Sequence, residues 1–175
     1  MTGLKRIKPY IALIRLDKPI GILLLLWPTL WALWIASHGQ PSLKIVVIFI
    51  LGTFFMRSAG CVVNDFADKK YDKDVTRTQN RPLASGTLKS RPAVWVFLTL
   101  ISCSFLLVSQ TNKLTVTLAV IGVFLASTYP YAKRFTYLPQ IHLGIAFGWA
   151  IPMSFAAEIS ALPSECWTIF IVTII

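Results

Sequence analysis

Residues 64–86 read NDFADKKYDKDVTRTQNRPLASG and form the one strongly charged island in a chain otherwise made of long apolar runs. The island follows an apolar run directly, so its carboxylates lie where a hydrocarbon-compatible segment meets water. Ionisable groups at such a boundary are costly and usually functional. Taken as a helix at roughly 100° per residue, Asn64, Asp65, Asp68 and Asp72 fall within about 100° of arc. Three carboxylates and one amide then share a face. Carboxylates held that close repel one another unless a cation sits between them. An all-oxygen donor set without His or Cys suits Mg²⁺, which keeps several waters and bridges carboxylates to substrate phosphates. Downstream, Arg77 and Arg81 are suited to grip a diphosphate as guanidinium forks. The competing reading is a solvated loop, with Lys69, Lys70 and Lys73 balancing the acids. An EF-hand is excluded, because the spacing is wrong and the loop lacks its Gly and terminal Glu.

The 175 residues are 55% hydrophobic and only 14% charged, with a mean hydropathy of +0.67. Such values belong to polytopic membrane proteins rather than soluble domains. A net charge of +10 would suggest nucleic acid in a soluble protein. Here the cytoplasmic excess of Lys and Arg in membrane proteins accounts for it, and no nucleic-acid partner is expected. Cys61, Cys103 and Cys166 lie in or beside apolar runs, and an odd count offers no disulfide framework. With no tandem repeat or linker, residues 1–175 read as one domain.

The hydropathy pattern predicts five complete membrane spans and the start of a sixth. The first runs from Pro19 to Ser37, with Trp27, Trp31 and Trp34 on one stripe that suits helix packing or an interfacial belt. The basic residues before it resemble the start of a secretory signal, but the run is long enough to span and no cleavage site follows. His38 stands alone in a short loop. The second span runs from about Lys44 into the charged island and contains Arg57. An arginine here either snorkels to the interface or faces a cavity. Arg57 lies about two turns inside and nearly shares the face of Asn64 and Asp68, which favours the cavity. There it would hold a diphosphate or an aromatic carboxylate.

The third span runs from Arg91-Pro92 to about Ser109, with Pro in the first turn. The fourth covers Leu114 to Tyr131. The fifth, from Leu138 to about Ala157, carries Gly144 and Gly148 as a close-packing pair, His142 for an interhelical hydrogen bond, and Pro152 as a kink. The sixth apolar run follows Glu165 and stops at Ile175. With the N-terminus inside, segments 1–18, 64–91 and 131–138 hold fourteen of the seventeen Lys and Arg. The opposite loops hold Lys44 and Lys113 with Glu158 and Glu165. The positive-inside rule then places the N-terminus in the cytoplasm, as in a multi-pass protein of a bacterial inner membrane.

NDxxDxxxD followed by RTxxRPLxSG resembles the first aspartate-rich motif of the UbiA-type intramembrane aromatic prenyltransferases. RLDKPIG with LLLLWPTLWALW, and YLPQIHLGIAFGWAIPM, resemble that family's 4-hydroxybenzoate branch. Tyr129-Pro-Tyr-Ala-Lys133-Arg134 resembles its YxxxK motif, which lines the same cavity; its other reading is an interfacial Tyr anchor followed by two cytoplasmic cations. The resemblance covers essentially the whole chain. It implies an all-α transmembrane bundle of about nine helices around a cavity open to cytoplasm and membrane lipid. It implies Mg²⁺ as cofactor, and metal or diphosphate roles for Asn64, Asp65, Asp68 and Asp72. The implied reaction transfers a polyprenyl group from polyprenyl diphosphate to 4-hydroxybenzoate in ubiquinone synthesis. Asp68, Asp72 and Arg57 would be catalytic, and Arg77, Arg81, Tyr129, Lys133 and Arg134 would bind substrate. The family carries a second aspartate-rich motif beyond the sixth helix, whereas the last acidic residue here is Glu165. The chain therefore reads as the N-terminal part of such a protein, with one of two metal half-sites.

Two other classes stay open at this level. A small transporter would place the carboxylates and Arg57 along a cation path and show paired broken helices in inverted repeats, and no convincing pair is visible. A non-catalytic membrane subunit would keep the helices without turnover. Within the family, the haem, menaquinone and chlorophyll branches are the alternatives.

Overall fold

In hydrocarbon the backbone has no partner but itself, so long apolar runs are driven into helices. The structure, a computed structural model, describes residues 3–132, 135 and 137–174. Among the described residues there are eight α-helices and no strand. They are α1 (Gly3–Leu13), α2 (Ile20–Ala36), α3 (Leu43–Ala67), α4 (Ser90–Val108), α5 (Lys113–Ala132), α6 (Pro139–Gly148), α7 (Ala150–Ile159) and α8 (Ser164–Ile174). Helices α3, α4 and α5 are long and apolar enough to cross a membrane by themselves, while α2 and α8 are apolar but shorter. The 25 residues of α3 rise about 37 Å, more than the roughly 30 Å of a hydrocarbon core.

The expected boundaries of the first, third and fourth spans fall within one or two residues of α2, α4 and α5. Two features differ from expectation. Helix α1 occupies a stretch in which the basic residues alone carry no helix signal; it is anchored by Leu13, which is fully buried against Ala59, Val62 and Leu83. The fifth span is not one kinked helix but two, α6 and α7, meeting at Trp149. Pro152 has no N–H for the carbonyl of residue 148, and its ring crowds that carbonyl, which places the break there. Trp149 bridges the break by donating from Nε1 to the Leu118 carbonyl of α5 at 2.8 Å.

The other expectations for this region hold. His142 bonds across to α5 through Thr128 Oγ1 at 3.2 Å and the Leu125 carbonyl at 3.1 Å. A Cβ on Gly144 would come within 3.0 Å of the Ile174 carbonyl, and one on Gly148 within 3.2 Å of the Phe170 ring. The small-residue pair is thus where α8 lies against α6. Trp27, Trp31 and Trp34 are all exposed, facing away from the bundle.

Polar contacts collect at the two ends of the bundle. At one end the Ser42 N–H, at the start of α3, donates to both carboxylate oxygens of Glu158 at 3.2 and 3.5 Å. Lys44 reaches the Gln110 carbonyl at 3.3 Å, and Asn112 ties the α4–α5 turn to the Ala156 carbonyl and Ser160. At the other end lie the α1–α2 turn and the long connection from α3 to α4. That connection is not the solvated loop of the competing reading. Leu83, Ala84 and Leu88 are buried, and Leu83 and Leu88 pack with α1, α3 and α4 in one apolar cluster. Gly86, at φ +76°, supplies the left-handed turn that leads the chain up to α4.

Candidate active site

Helix α3 proper ends at Ala67, so the charged island is not one continuous helix through Asp72. The four-residue step nevertheless survives the end of the helix. Asp68 N–H donates to the Asn64 carbonyl and Asp72 N–H to the Asp68 carbonyl, both at 2.9 Å. A 3-10 turn over Tyr71–Lys73 then carries the chain onward. Asp65, Asp68 and Asp72 are 1%, 9% and 7% exposed, whereas Asp74 is exposed. Successive turns fold the connection back on itself, with Thr78 Oγ1 donating to the Asp72 carbonyl at 3.2 Å and Arg81 N–H to the Thr78 carbonyl at 2.9 Å. Arg81 thereby returns to the acids that precede it by nine and sixteen residues.

The buried acids are met by guanidinium. Arg81 Nη1 lies 2.8 Å from Asp72 Oδ2 and 3.3 Å from Asp65 Oδ1. Arg15 Nη2 donates to the same Asp65 Oδ1 at 2.7 Å. Arg15 sits in the α1–α2 turn with a φ of +59°, a strained conformation for a non-glycine residue that its surroundings must sustain. The sequence offers no cue for this pair, whose partners lie fifty residues apart. Arg81, expected as a diphosphate fork, thus also links two carboxylates of the motif.

A cavity of about 880 Å³ opens beside this network. Asn64, Asp65, Asp68 and Asp72 line it, together with Arg57, Arg77, Arg81 and Tyr129. Lys133 and Arg134 lie outside the described residues. Arg15, Lys18 and Thr78 line it as well and were not among the residues expected there. Away from this charged rim the walls are apolar, with Phe49, Met56, Val116, Val120 and Met153 among them. One end of the cavity suits an anion and its counter-charges, and the remainder suits hydrocarbon.

Arg57 occupies an inner position. Nη1 donates to Cys61 Sγ at 2.7 Å, and the guanidinium carbon stands 6.0 Å from the centre of the Phe147 ring. Among the described residues Arg57 makes no ion pair, and its buried Nε has no hydrogen-bond partner. A half-buried cation whose buried Nε is unsatisfied is costly unless an anion joins it. The inward reading of Arg57 therefore agrees with its placement, and snorkelling does not.

The donor set of the rim bears on whether a hard divalent cation fits there. Among the described residues no three Asp, Glu, His or Cys side chains are grouped so as to hold a metal by themselves. Two of the carboxylate oxygens are turned toward Arg15 and Arg81. However, the buried Asp65 Oδ2 has no hydrogen-bond partner among the described residues, and Asn64, Asp68 and Asp72 add only oxygen-bearing side chains to the same wall. This chemistry fits Mg²⁺ shared with phosphate oxygens and waters rather than a closed protein cage.

Comparison with known proteins agrees with this geometry. The UbiA prenyltransferase family matches residues 25–175. A 4-hydroxybenzoate octaprenyltransferase of Coxiella burnetii (strain CbuK_Q154) is 56% identical over 98% of this chain and 60% of its own length. One from Histophilus somni (strain 2336) is 57% identical over 93% of this chain and 57% of its own length. The chain thus spans about 60% of the length of the curated relatives it matches. Among solved structures, the apo UbiA homolog of Aeropyrum pernix K1 superposes with a TM-score of 0.76 at 24% identity, over 88% of this chain and 58% of that one. The UbiA homolog of Archaeoglobus fulgidus bound to GPP and Mg²⁺ gives 0.78 at 18% identity, over 95% and 60%. At these identities the structural likeness speaks to fold.

Proposed function

We propose, from the premise that this chain belongs to the UbiA prenyltransferase family, that it serves in an enzyme transferring a polyprenyl group to 4-hydroxybenzoate, ortho to the hydroxyl. The observation that carries the reading is a cavity whose charged rim joins an apolar interior. Such a cavity accommodates a molecule that is diphosphate at one end and hydrocarbon at the other. The names of the relatives support the acceptor, and the Mg²⁺ and GPP bound to the Archaeoglobus homolog support the cofactor and donor class.

In the proposed reaction the allylic C–O bond breaks, diphosphate leaves, and the ring carbon beside the phenol oxygen attacks the allylic cation. Loss of the ring proton then restores aromaticity. Mg²⁺, held by Asn64, Asp65, Asp68 and Asp72, would supply positive charge to the leaving diphosphate. Arg77 and Arg81 approach that diphosphate from the loop. The apolar walls keep the isoprenoid tail among hydrocarbon groups and exclude water from the cation. Arg57, Lys133 or Arg134 holds the acceptor carboxylate, and Tyr129 binds substrate from the cavity wall.

The test is kinetic and uses the full-length protein in membranes. Arg57→Lys keeps the charge but loses the planar fork, and is expected to raise the acceptor KM about tenfold while leaving the donor KM unchanged. Equal effects on both KM values would put Arg57 on the diphosphate. No effect for Arg57, Lys133 or Arg134 would end the acceptor assignment.

The orientation is likewise proposed: the rim bearing Arg15, Asp65 and Arg81 faces the cytoplasm of a bacterial inner membrane, as does the N-terminus. The charge asymmetry of the loops supports it. In intact cells, an impermeant maleimide should label a cysteine introduced as Lys113→Cys and spare Lys89→Cys. Efficient labelling at position 89 would reverse the topology.

A further inference from the structure

The Nε–Nη2 edge of the Arg57 guanidinium is turned toward Gly21. A Cβ built on Gly21 would stand 2.7 Å from Nη2, 2.9 Å from Nε and 3.2 Å from the guanidinium carbon. These are distances at which one group must move. Gly21 is in the first turn of α2, within the PIG tripeptide that starts that helix, so its missing side chain is not required by a left-handed backbone. No positive φ is recorded there. What the missing Cβ leaves room for is the arginine.

Three surfaces confine this guanidinium. Gly21 is one. Cys61, one turn further along α3, accepts from Nη1. Phe147 of α6 contributes the face of its ring. None of the three carries a charge. The seat therefore orients the cation without neutralising it, and leaves Nε unsatisfied beside a cavity that Gly21, Arg57, Cys61 and Phe147 all line. A pre-oriented, unpaired guanidinium next to a vacant volume is suited to a planar anion, because a carboxylate meets a fork only when the two planes coincide.

We propose that Gly21 and Cys61 are positioning residues that set the plane of Arg57, and thereby the preference of the cavity for acceptors bearing a carboxylate. This rests on the reading that Arg57 faces the acceptor. The consequence is selective. Moving the guanidinium by an ångström weakens the carboxylate contact and leaves the diphosphate rim as it was.

The experiment compares 4-hydroxybenzoate with its uncharged amide, using the full-length protein in membranes and a fixed prenyl diphosphate. Gly21→Ala is expected to raise the KM for the acid about tenfold, the scale of one charge-assisted hydrogen bond, with the donor KM and the KM for the amide unchanged. In an Arg57→Lys background the same substitution should add nothing further, since two residues acting through one contact are not additive. Cys61→Ala should raise the acid KM severalfold, and Cys61→Ser, which restores an acceptor for Nη1, should recover most of the loss. A fold defect would instead lower activity toward acid and amide alike. That result, or an unchanged acid KM in Gly21→Ala and Cys61→Ala, overturns the proposal. If Arg57→Lys raises the acid KM while both seat variants do not, the seat fails and the acceptor assignment stands. If Arg57→Lys leaves the acid KM unchanged, the seat falls together with the part of Arg57 in holding the acceptor.

Discussion

Asp68→Asn and Asp72→Asn are expected to lower prenyl transfer by at least about 100-fold, the usual cost of removing a group that stabilises developing charge, while Asp74→Asn stays near wild type. Asn keeps the size of Asp and one oxygen donor but removes the charge, and charge is what retains Mg²⁺ beside a diphosphate. Asp68 and Asp72 are nearly buried and line the cavity. Asp74, two residues on, is exposed and turned away from it. Asp72 carries a second load, since Asp72→Asn also removes the nearer of the two carboxylates paired with Arg81. Added Mg²⁺ should rescue either variant only weakly. Product formation across a Mg²⁺ titration for the three variants provides the measurement. Comparable loss in all three would mean that acidity in general, rather than one face, is required. Full activity in Asp68→Asn and Asp72→Asn would remove the metal site from the proposal.

The second large effect is on stability. Asp65→Ala is expected to destabilise the protein by about 3–5 kcal/mol, the range found when one partner of a buried ion pair is removed. Asp65 is 1% exposed and receives two guanidiniums on one oxygen, Arg15 at 2.7 Å and Arg81 at 3.3 Å. Without it, Arg15 would remain partly buried without its carboxylate, Arg81 would keep Asp72 but lose its second carboxylate, and the left-handed turn at Arg15 would lose the contact that holds it. Asp65→Asn keeps a hydrogen-bond acceptor and should lose less. The unfolding temperature of detergent-solubilised protein separates the cases. If Asp65→Ala melts with the wild type, the carboxylate is not the anchor of the α1–α2 turn, and its role lies wholly with ligands.

The parts legible in the sequence are those set by local periodicity. The spacing Asn64–Asp68–Asp72 follows one turn of helix, and the backbone bonds between those residues preserve it even where the helix itself stops. Span limits follow from hydropathy, because hydrocarbon rewards the same residues wherever they occur. The parts that were hidden depend on residues distant in sequence. Nothing near Arg15 announces Asp65, and nothing near Gly21 announces Arg57. Helix α1 is hard to see in the sequence because Leu13 alone is buried among its described side chains, and one apolar contact leaves no periodic trace. The break that Pro152 causes in the fifth span falls three residues before it, at Trp149, for a simpler reason. A proline disturbs the turn before it, not its own position.

That break has a bearing on how the protein is assembled during synthesis. Helices α6 and α7 have ten residues each, a rise of about 15 Å apiece and half the thickness of the hydrocarbon. Lipid offers no partner to a carbonyl released from the helical ladder. The pair is therefore poorly suited to residing in the bilayer before its neighbours. Those neighbours are earlier in the chain: α5 supplies the Leu118 carbonyl to Trp149, and α2 supplies the Thr29 carbonyl to Ser154 at 3.3 Å. Helices α2 and α5, which precede the pair in the chain, carry the carbonyls that meet it, and Gly144 and Gly148 give the pair the surface against which Ile174 and Phe170 lie.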